Sequence, residues 1–116
     1  MRAHSRNGWR GESTARLRYE TSGPGFQKLK ISDMKAVKTH NPFATNDLNF
    51  AKKFNIDVMT MNNYGSSLIY GHPQGPTAGR LIAELIEELV MLGGGYGLWA
   101  GCAAGDMAAA MTFKVG

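Results

Sequence analysis

The chain is short of several things, and each shortage narrows what it does. Its 116 residues hold one cysteine, Cys102, so an intramolecular disulfide is excluded and no paired spacing suggests a zinc site. A reducing, cytoplasmic setting is the expectation that follows. No apolar run is long enough to cross a bilayer, and the polar, basic N-terminus has no apolar stretch of the kind a secretory signal needs. Acidic residues are also few, nine against thirteen Lys and Arg, for a formal net charge of +4. Much of the excess comes from Arg2, Arg6, Arg10, Arg16 and Arg18. These arginines are not interleaved with aromatics, and no helix-turn-helix, zinc-finger or RNA-recognition signature follows them. A solvated leader is therefore expected rather than a nucleic-acid arm.

What remains suits one small domain. A hydrophobic content of 43% supports a core, but a chain of this length leaves much surface in water unless another segment or chain covers part of it. Residues 1–32 read as a basic polar leader with a short helix around Thr14 to Tyr19, ending near the turn signal "SGPGF". The interpretable domain spans residues 33–116. "DMKAVKTH" reads as a strand, His40 to Pro42 as a sharp corner, and the following residues as a helix to about Phe54. Thr45 or Asn46 is expected to cap that helix, and Leu48, Phe50, Ala51 and Phe54 to form its buried face.

"MNNYGSSLIYGHPQGPTAG" is rich in turn formers and reads mostly as a long loop, a length more often functional than connective. "GRLIAELIEELVML" is the clearest helix, with Leu81, Ile82, Leu85, Ile86, Leu89 and Val90 recurring at i, i+3, i+4 spacing, and Gly93 stops it. Two strands, "YGLWAGC" and "DMAAAMTFKV", follow as an antiparallel pair around the turn "AAG". Alanine is a poor strand former, so Ala108 to Ala110 suggest a close approach of neighbouring backbone. The pattern β-α-loop-α-β-β predicts an α/β domain, a mixed sheet covered by helices.

Three residues able to carry chemistry sit at bends: His40, His72 in "GHPQG", and Cys102 in "YGLWAGCAAGD". Singly they have plain readings, a buried small hydrophobe for the cysteine and local hydrogen bonds for the histidines. Together they provide a thiol that exchanges a proton and two imidazoles that donate to an oxygen anion, a set suited to acyl or carbanion chemistry. "YGSSL" is not a nucleophile elbow, and "GGGYG" follows a helix instead of opening one, so neither a serine hydrolase nor a dinucleotide site is indicated.

The ordered motifs "HNPFA", "GHPQGPTAG" and "YGLWAGCAAGD" resemble the C-terminal part of thiolases, the acetyl-CoA acetyltransferases and 3-oxoacyl-CoA thiolases, over roughly residues 33–116. The resemblance implies the thiolase-like C-terminal half of an α/β fold without its N-terminal half. In the family's Asn-Glu-Ala-Phe or His-Asp-Cys-Phe motif the first residue binds the thioester oxygen. That role falls on His40 at a corner where His40 or Asn41 faces the substrate, the Asn-Pro pair departing from both patterns. His72 matches the Gly-His-Pro histidine that activates a nucleophilic cysteine and helps bind the oxyanion, while Ala78 stands in place of the motif's closing glycine. Cys102 matches the acid/base cysteine. The supporting main-chain amide after it falls on Ala104, beside Gly105.

The resemblance further implies acyl-CoA and coenzyme A as substrates, no bound cofactor or metal, and a missing N-terminal half or thiolase subunit that supplies the nucleophilic cysteine. A non-catalytic module that pairs with a separate thiolase chain is the alternative it leaves.

Overall fold

The computed structural model describes residues 18–19, 28–102 and 107–116. Among these residues four strands form one sheet in the order β1-β4-β3-β2: β1 (Arg18–Tyr19), β2 (Met34–Thr39), β3 (Gly95–Cys102) and β4 (Ala108–Val115). β2 runs parallel to β3, while β3 with β4 and β4 with β1 are antiparallel. Among the described residues three helices accompany the sheet: α1 (Ala44–Phe54), the single turn α2 (Ser67–Tyr70), and α3 (Thr77–Met91). Short 3-10 turns occupy Ile31–Asp33 and Val58–Thr60.

Alternation along β2 divides the core between the two faces of the sheet. Ala36 packs with Leu81, Leu85 and Leu89 of α3, and with Trp99, Phe113 and Val115 of the sheet. Val37 points the other way and packs with Ala51 of α1 and Met61. The three leucines of α3 are fully buried because Gly97 lets the helix settle on β3: a Cβ there would lie 2.7 Å from Leu85 Cδ1 and 2.8 Å from Leu89 Cδ1. A buried ion pair, Lys38 Nζ to Glu88 at 2.8 Å, ties β2 to the same helix, and the Asn63 side-chain amide donates to the other oxygen of Glu88 at 2.8 Å. Gly93, Gly94 and Gly95 all have positive φ, from 75 to 134°. "GGG" is therefore the reversal from α3 into β3, conformations that glycine adopts without strain.

Several expectations are corrected. Arg18–Tyr19, expected within a short helix, pairs with Lys114 and Phe113 as a strand; residues 14–17 and most of the leader lie outside the described residues. The N-cap of α1 is Phe43, with no side-chain capping bond from Thr45 or Asn46. Ala51 is buried and Phe50 half-buried, but Leu48 and Phe54 of the expected apolar face are exposed. Val90 is likewise exposed, on the side of α3 turned from the sheet. The long loop contains α2 and the first residues of α3, which starts at Thr77 rather than Gly79. The turn "AAG" lies outside the described residues. Ala108, Ala109 and Ala110 do meet neighbouring backbone, pairing with Cys102, Gly101 and Ala100 of β3, while their side chains are exposed and border an open cavity.

Candidate functional site

The parallel pair β2 and β3 ends with both strands pointing the same way, so His40 and Cys102 emerge at one edge of the sheet. Strand pairing runs one residue past β2, since the His40 amide donates to the Ala100 carbonyl at 2.8 Å. The chain then turns into α1, and the turn is held by a buried carboxylate. Asp47 accepts hydrogen bonds from the Thr39 hydroxyl and the Asn41 side-chain amide, the residues on either side of His40. It also accepts from the Asn62 side-chain amide at 3.2 Å. Asn62 is itself fixed to β2: its N–H donates to the Val37 carbonyl at 3.0 Å, its side-chain carbonyl accepts from Thr39 N–H at 2.9 Å, and its side-chain amide donates to Thr39 Oγ1 at 2.8 Å. These donors take the place of the water a buried carboxylate gives up.

Asn41 is fully buried and turned inward. Besides donating to Asp47, its side-chain oxygen accepts from the Ser67 backbone N–H at 3.1 Å. Ser67 opens α2, and Gly71, with φ of 78°, redirects the chain from the end of α2 to His72. The corner of His40 and the loop of His72 are thus joined through Asn41. His72 is held from the other side by the first residue of α3: its Nδ1 is 2.9 Å from Thr77 Oγ1, and that hydroxyl donates to the Pro73 carbonyl at 2.7 Å.

The three chemical side chains meet. Cys102 Sγ is 3.2 Å from His40 Nδ1, and His40 Nε2 is 2.8 Å from His72 Nε2 and 3.1 Å from His72 Nδ1. The imidazole centroids are 4.1 Å apart. His40 is 8% exposed; burial, and secondarily the adjacent His72, hold its pKa below the ordinary 6.5, because a charged ring would lose water and lie against a second imidazole. His40 is therefore neutral at pH 7. Cys102 is exposed, which sets aside the reading of a buried inert thiol.

Cys102 pairs across the strands with Ala108, and Ala100 with Ala110, so four small side chains share the face opposite Phe50 and Phe54. The space left is an open cavity of about 650 Å³ that reaches His40 and Cys102. A thiol in hydrogen-bond reach of a neutral imidazole, with a second imidazole behind it, can release and recover a proton and can donate to an oxygen anion. Among the described residues no cluster of His, Cys, Asp and Glu suits a metal ion.

Of the residues singled out in the sequence, the structure brings together His40, His72 and Cys102. Asn41 lies at the same corner but faces Asp47 and Ser67, and Ala104 and Gly105 lie outside the described residues. Asp47, Asn62 and Thr77 were not singled out. Asp47 reads in sequence as a polar position on an amphipathic helix, and Asn62 as one turn former among many. Only Thr77, five residues beyond His72 at the start of a helical pattern, carried a usable local signal.

The sequence profile of the family described as "Thiolase, C-terminal domain" matches residues 25–115. The 3-ketoacyl-CoA thiolase of Shewanella oneidensis is 38% identical over 104 residues, covering 75% of this chain and 24% of that protein. The 3-ketoacyl-CoA thiolase of Pseudoalteromonas atlantica is 36% identical over 103 residues, with 74% and 24% covered. Among solved structures, human mitochondrial 3-ketoacyl-CoA thiolase in complex with CoA superposes with a TM-score of 0.71 at 28% identity, over 76% of this chain and 22% of that one. Peroxisomal 3-ketoacyl-CoA thiolase of Saccharomyces cerevisiae, a five-layered α-β-α-β-α structure built from two core domains of identical topology, gives 0.69 at 28% identity over 78% and 26%. The chain thus spans about a quarter of the length of these relatives.

Proposed function

Since the chain belongs to the thiolase family through its C-terminal domain, we propose that it forms the C-terminal catalytic part of an acyl-CoA acyltransferase. The reaction is the reversible thiolytic cleavage of 3-oxoacyl-CoA, or, in reverse, the Claisen condensation of two acyl-CoA molecules. The observation that carries this reading is the meeting of Cys102, His40 and His72 at one edge of the sheet, at hydrogen-bond distances. In condensation, the Cys102 thiolate removes a proton from the carbon next to the thioester. His40 and His72 donate hydrogen bonds to the oxygen that gains charge. In thiolysis Cys102 returns that proton to the leaving enolate, and the main-chain amide of Ala104 supports a second oxyanion. Coenzyme A as the thioester carrier is supported by the CoA complex of the human relative.

The chain has one cysteine, and its proposed task is proton transfer. The thiol that becomes acylated comes from elsewhere, from the other half of the fold or from a partner subunit. The two-domain build of the yeast relative supports this, and so does an apolar groove on the outer side of α3, about 610 Å³, bordered by Tyr64, Tyr70, Ala83 and Met91. Acetoacetyl-CoA and coenzyme A mixed with the chain alone should show no thiolysis, and addition of a thiolase half bearing the nucleophilic cysteine should restore it. In that reconstituted enzyme Cys102→Ser should cut turnover by about 10² to 10⁴ while the acyl intermediate still forms on the other cysteine. Efficient thiolysis by the chain alone, or wild-type turnover in Cys102→Ser, refutes the assignment.

A further inference from the structure

Two close contacts behind His72 compete for one hydrogen. Thr77 Oγ1 lies 2.7 Å from the Pro73 carbonyl oxygen and 2.9 Å from His72 Nδ1. A hydroxyl has a single hydrogen to give, and a carbonyl oxygen has none. If that hydrogen went to His72, the hydroxyl and carbonyl oxygens would meet lone pair to lone pair at 2.7 Å. The hydroxyl therefore donates to Pro73 and accepts from His72, so the hydrogen between Thr77 and His72 belongs to Nδ1. The first turn of α3 holds the hydroxyl in place, since the Thr77 N–H also donates to the Pro73 carbonyl, at 3.2 Å. Thr77 is 3% exposed, so bulk water does not stand in for either partner.

We infer that Thr77 is a positioning residue that sets His72 with hydrogen on Nδ1 and leaves Nε2 as its basic nitrogen. A half-turn of the ring would put a carbon against the Thr77 hydroxyl, so the same bond holds the ring's orientation. His40 does not take up the free lone pair. Its Nε2 lies 2.8 and 3.1 Å from the two nitrogens of His72, with the ring centroids 4.1 Å apart. Such similar distances put it against the ring, away from the line along which Nε2 accepts. His72 is only half-buried, so a group from outside the chain can approach that nitrogen.

The use of Nε2 in catalysis rests on the function proposed above. When the other half of the fold brings its thiol, the S–H bond breaks as an Nε2–H bond forms on His72. The products are a thiolate, ready to attack the acyl carbon, and an imidazolium; net charge is unchanged. His72 then holds hydrogen on both nitrogens, and its Nε2–H is the donor that the thioester oxygen requires. The opposite tautomer would present an N–H group to the thiol and could take no proton there.

The test begins with the full chain without substrate. Two-bond ¹H–¹⁵N spectra in mildly alkaline solution, where imidazoles are neutral, should show His72 with hydrogen on Nδ1; hydrogen on Nε2 overturns the inference. Thr77→Val keeps the shape and removes the acceptor, so a substantial share of His72 should move to the Nε2–H form, whereas Thr77→Ser should keep the wild-type pattern. A Thr77→Val chain that melts cooperatively with its His72 tautomer unchanged shows that the hydroxyl does not set it. If that variant does not fold, the wild-type and Thr77→Ser spectra decide. In the reconstituted enzyme, Thr77→Val should slow acylation of the other half's cysteine by about tenfold or more at unchanged KM for the acyl thioester, with Thr77→Ser restoring the rate; an undiminished rate in Thr77→Val also refutes the assignment. His72 with hydrogen on Nε2 beside a reconstituted enzyme that turns over removes the role of Thr77 and leaves the thiolase reading. The expected spectra in all three chains beside an inactive reconstituted enzyme do the opposite.

Discussion

His40 concentrates the chemistry of the site in one ring, and its burial has a thermodynamic consequence. Its pKa is below 6.5 in the folded chain, through burial first and His72 second, and returns to about 6.5 on unfolding. Protons then bind the unfolded chain more readily than the folded one. The stabilisation from a neutral His40 is complete above pH 6.5 and is lost as pH falls through the lowered folded value. Urea unfolding midpoints should decline over that interval, and the decline should be shallower in His40→Asn; an identical pH profile in the two chains contradicts this. The position of His40 at a bend was legible in the sequence, as were those of His72 and Cys102. What each ring nitrogen faces was not, because it depends on Thr77 and Pro73, whose geometry arises only once α3 has formed.

Between elements, Asp47 is the fastening. From the first turns of α1 its carboxylate gathers the end of β2 through Thr39, the corner through Asn41 and the following loop through Asn62. Asp47→Asn places an amide where the partners are donors, and should cost about 1–3 kcal/mol of stability. The exchange Asn41→Asp with Asp47→Asn offers a complementary arrangement: the amide of residue 47 donates to the carboxylate of residue 41, which still accepts from Ser67 N–H. The double variant should recover most of the loss in chemical denaturation, and additive losses would show that the pair is not coupled.

α3 was the most legible element, since its apolar period repeats over four turns and one side meets the sheet. α1 was less so: Leu48 and Phe54 follow helical spacing yet stay exposed, because the sheet face opposite α1 near its end is lined by alanines and leaves a cavity there. β1 was not legible. Two residues carry no period, and their pairing depends on the edge of β4, nearly a hundred residues further on.

At the scale of the whole molecule, α3 buries one side against the sheet and exposes Val90, Met91 and Leu92 near its end. Tyr64 and Tyr70 extend that apolar surface, with Arg80 held over the Tyr70 ring at 5.0 Å. A domain of this size gains from covering such a surface. The isolated chain should bind a hydrophobic dye and self-associate in sedimentation experiments, and Val90→Lys with Met91→Lys should weaken both. A complementary thiolase half should suppress dye binding. A monodisperse chain that binds no dye speaks against an interface on this side.

Were copies to associate through that groove, the fate of the assembly would turn on Asn62. β2 is the outermost described strand on its side of the sheet, and its outward groups at Val37 and Thr39 are engaged by the backbone and side chain of this one asparagine. Asn62 acts as a strand one residue long. An incoming chain therefore finds no unbroken ladder to extend along β2, and association through α3 can remain reversible rather than templating a continuous β-fibre.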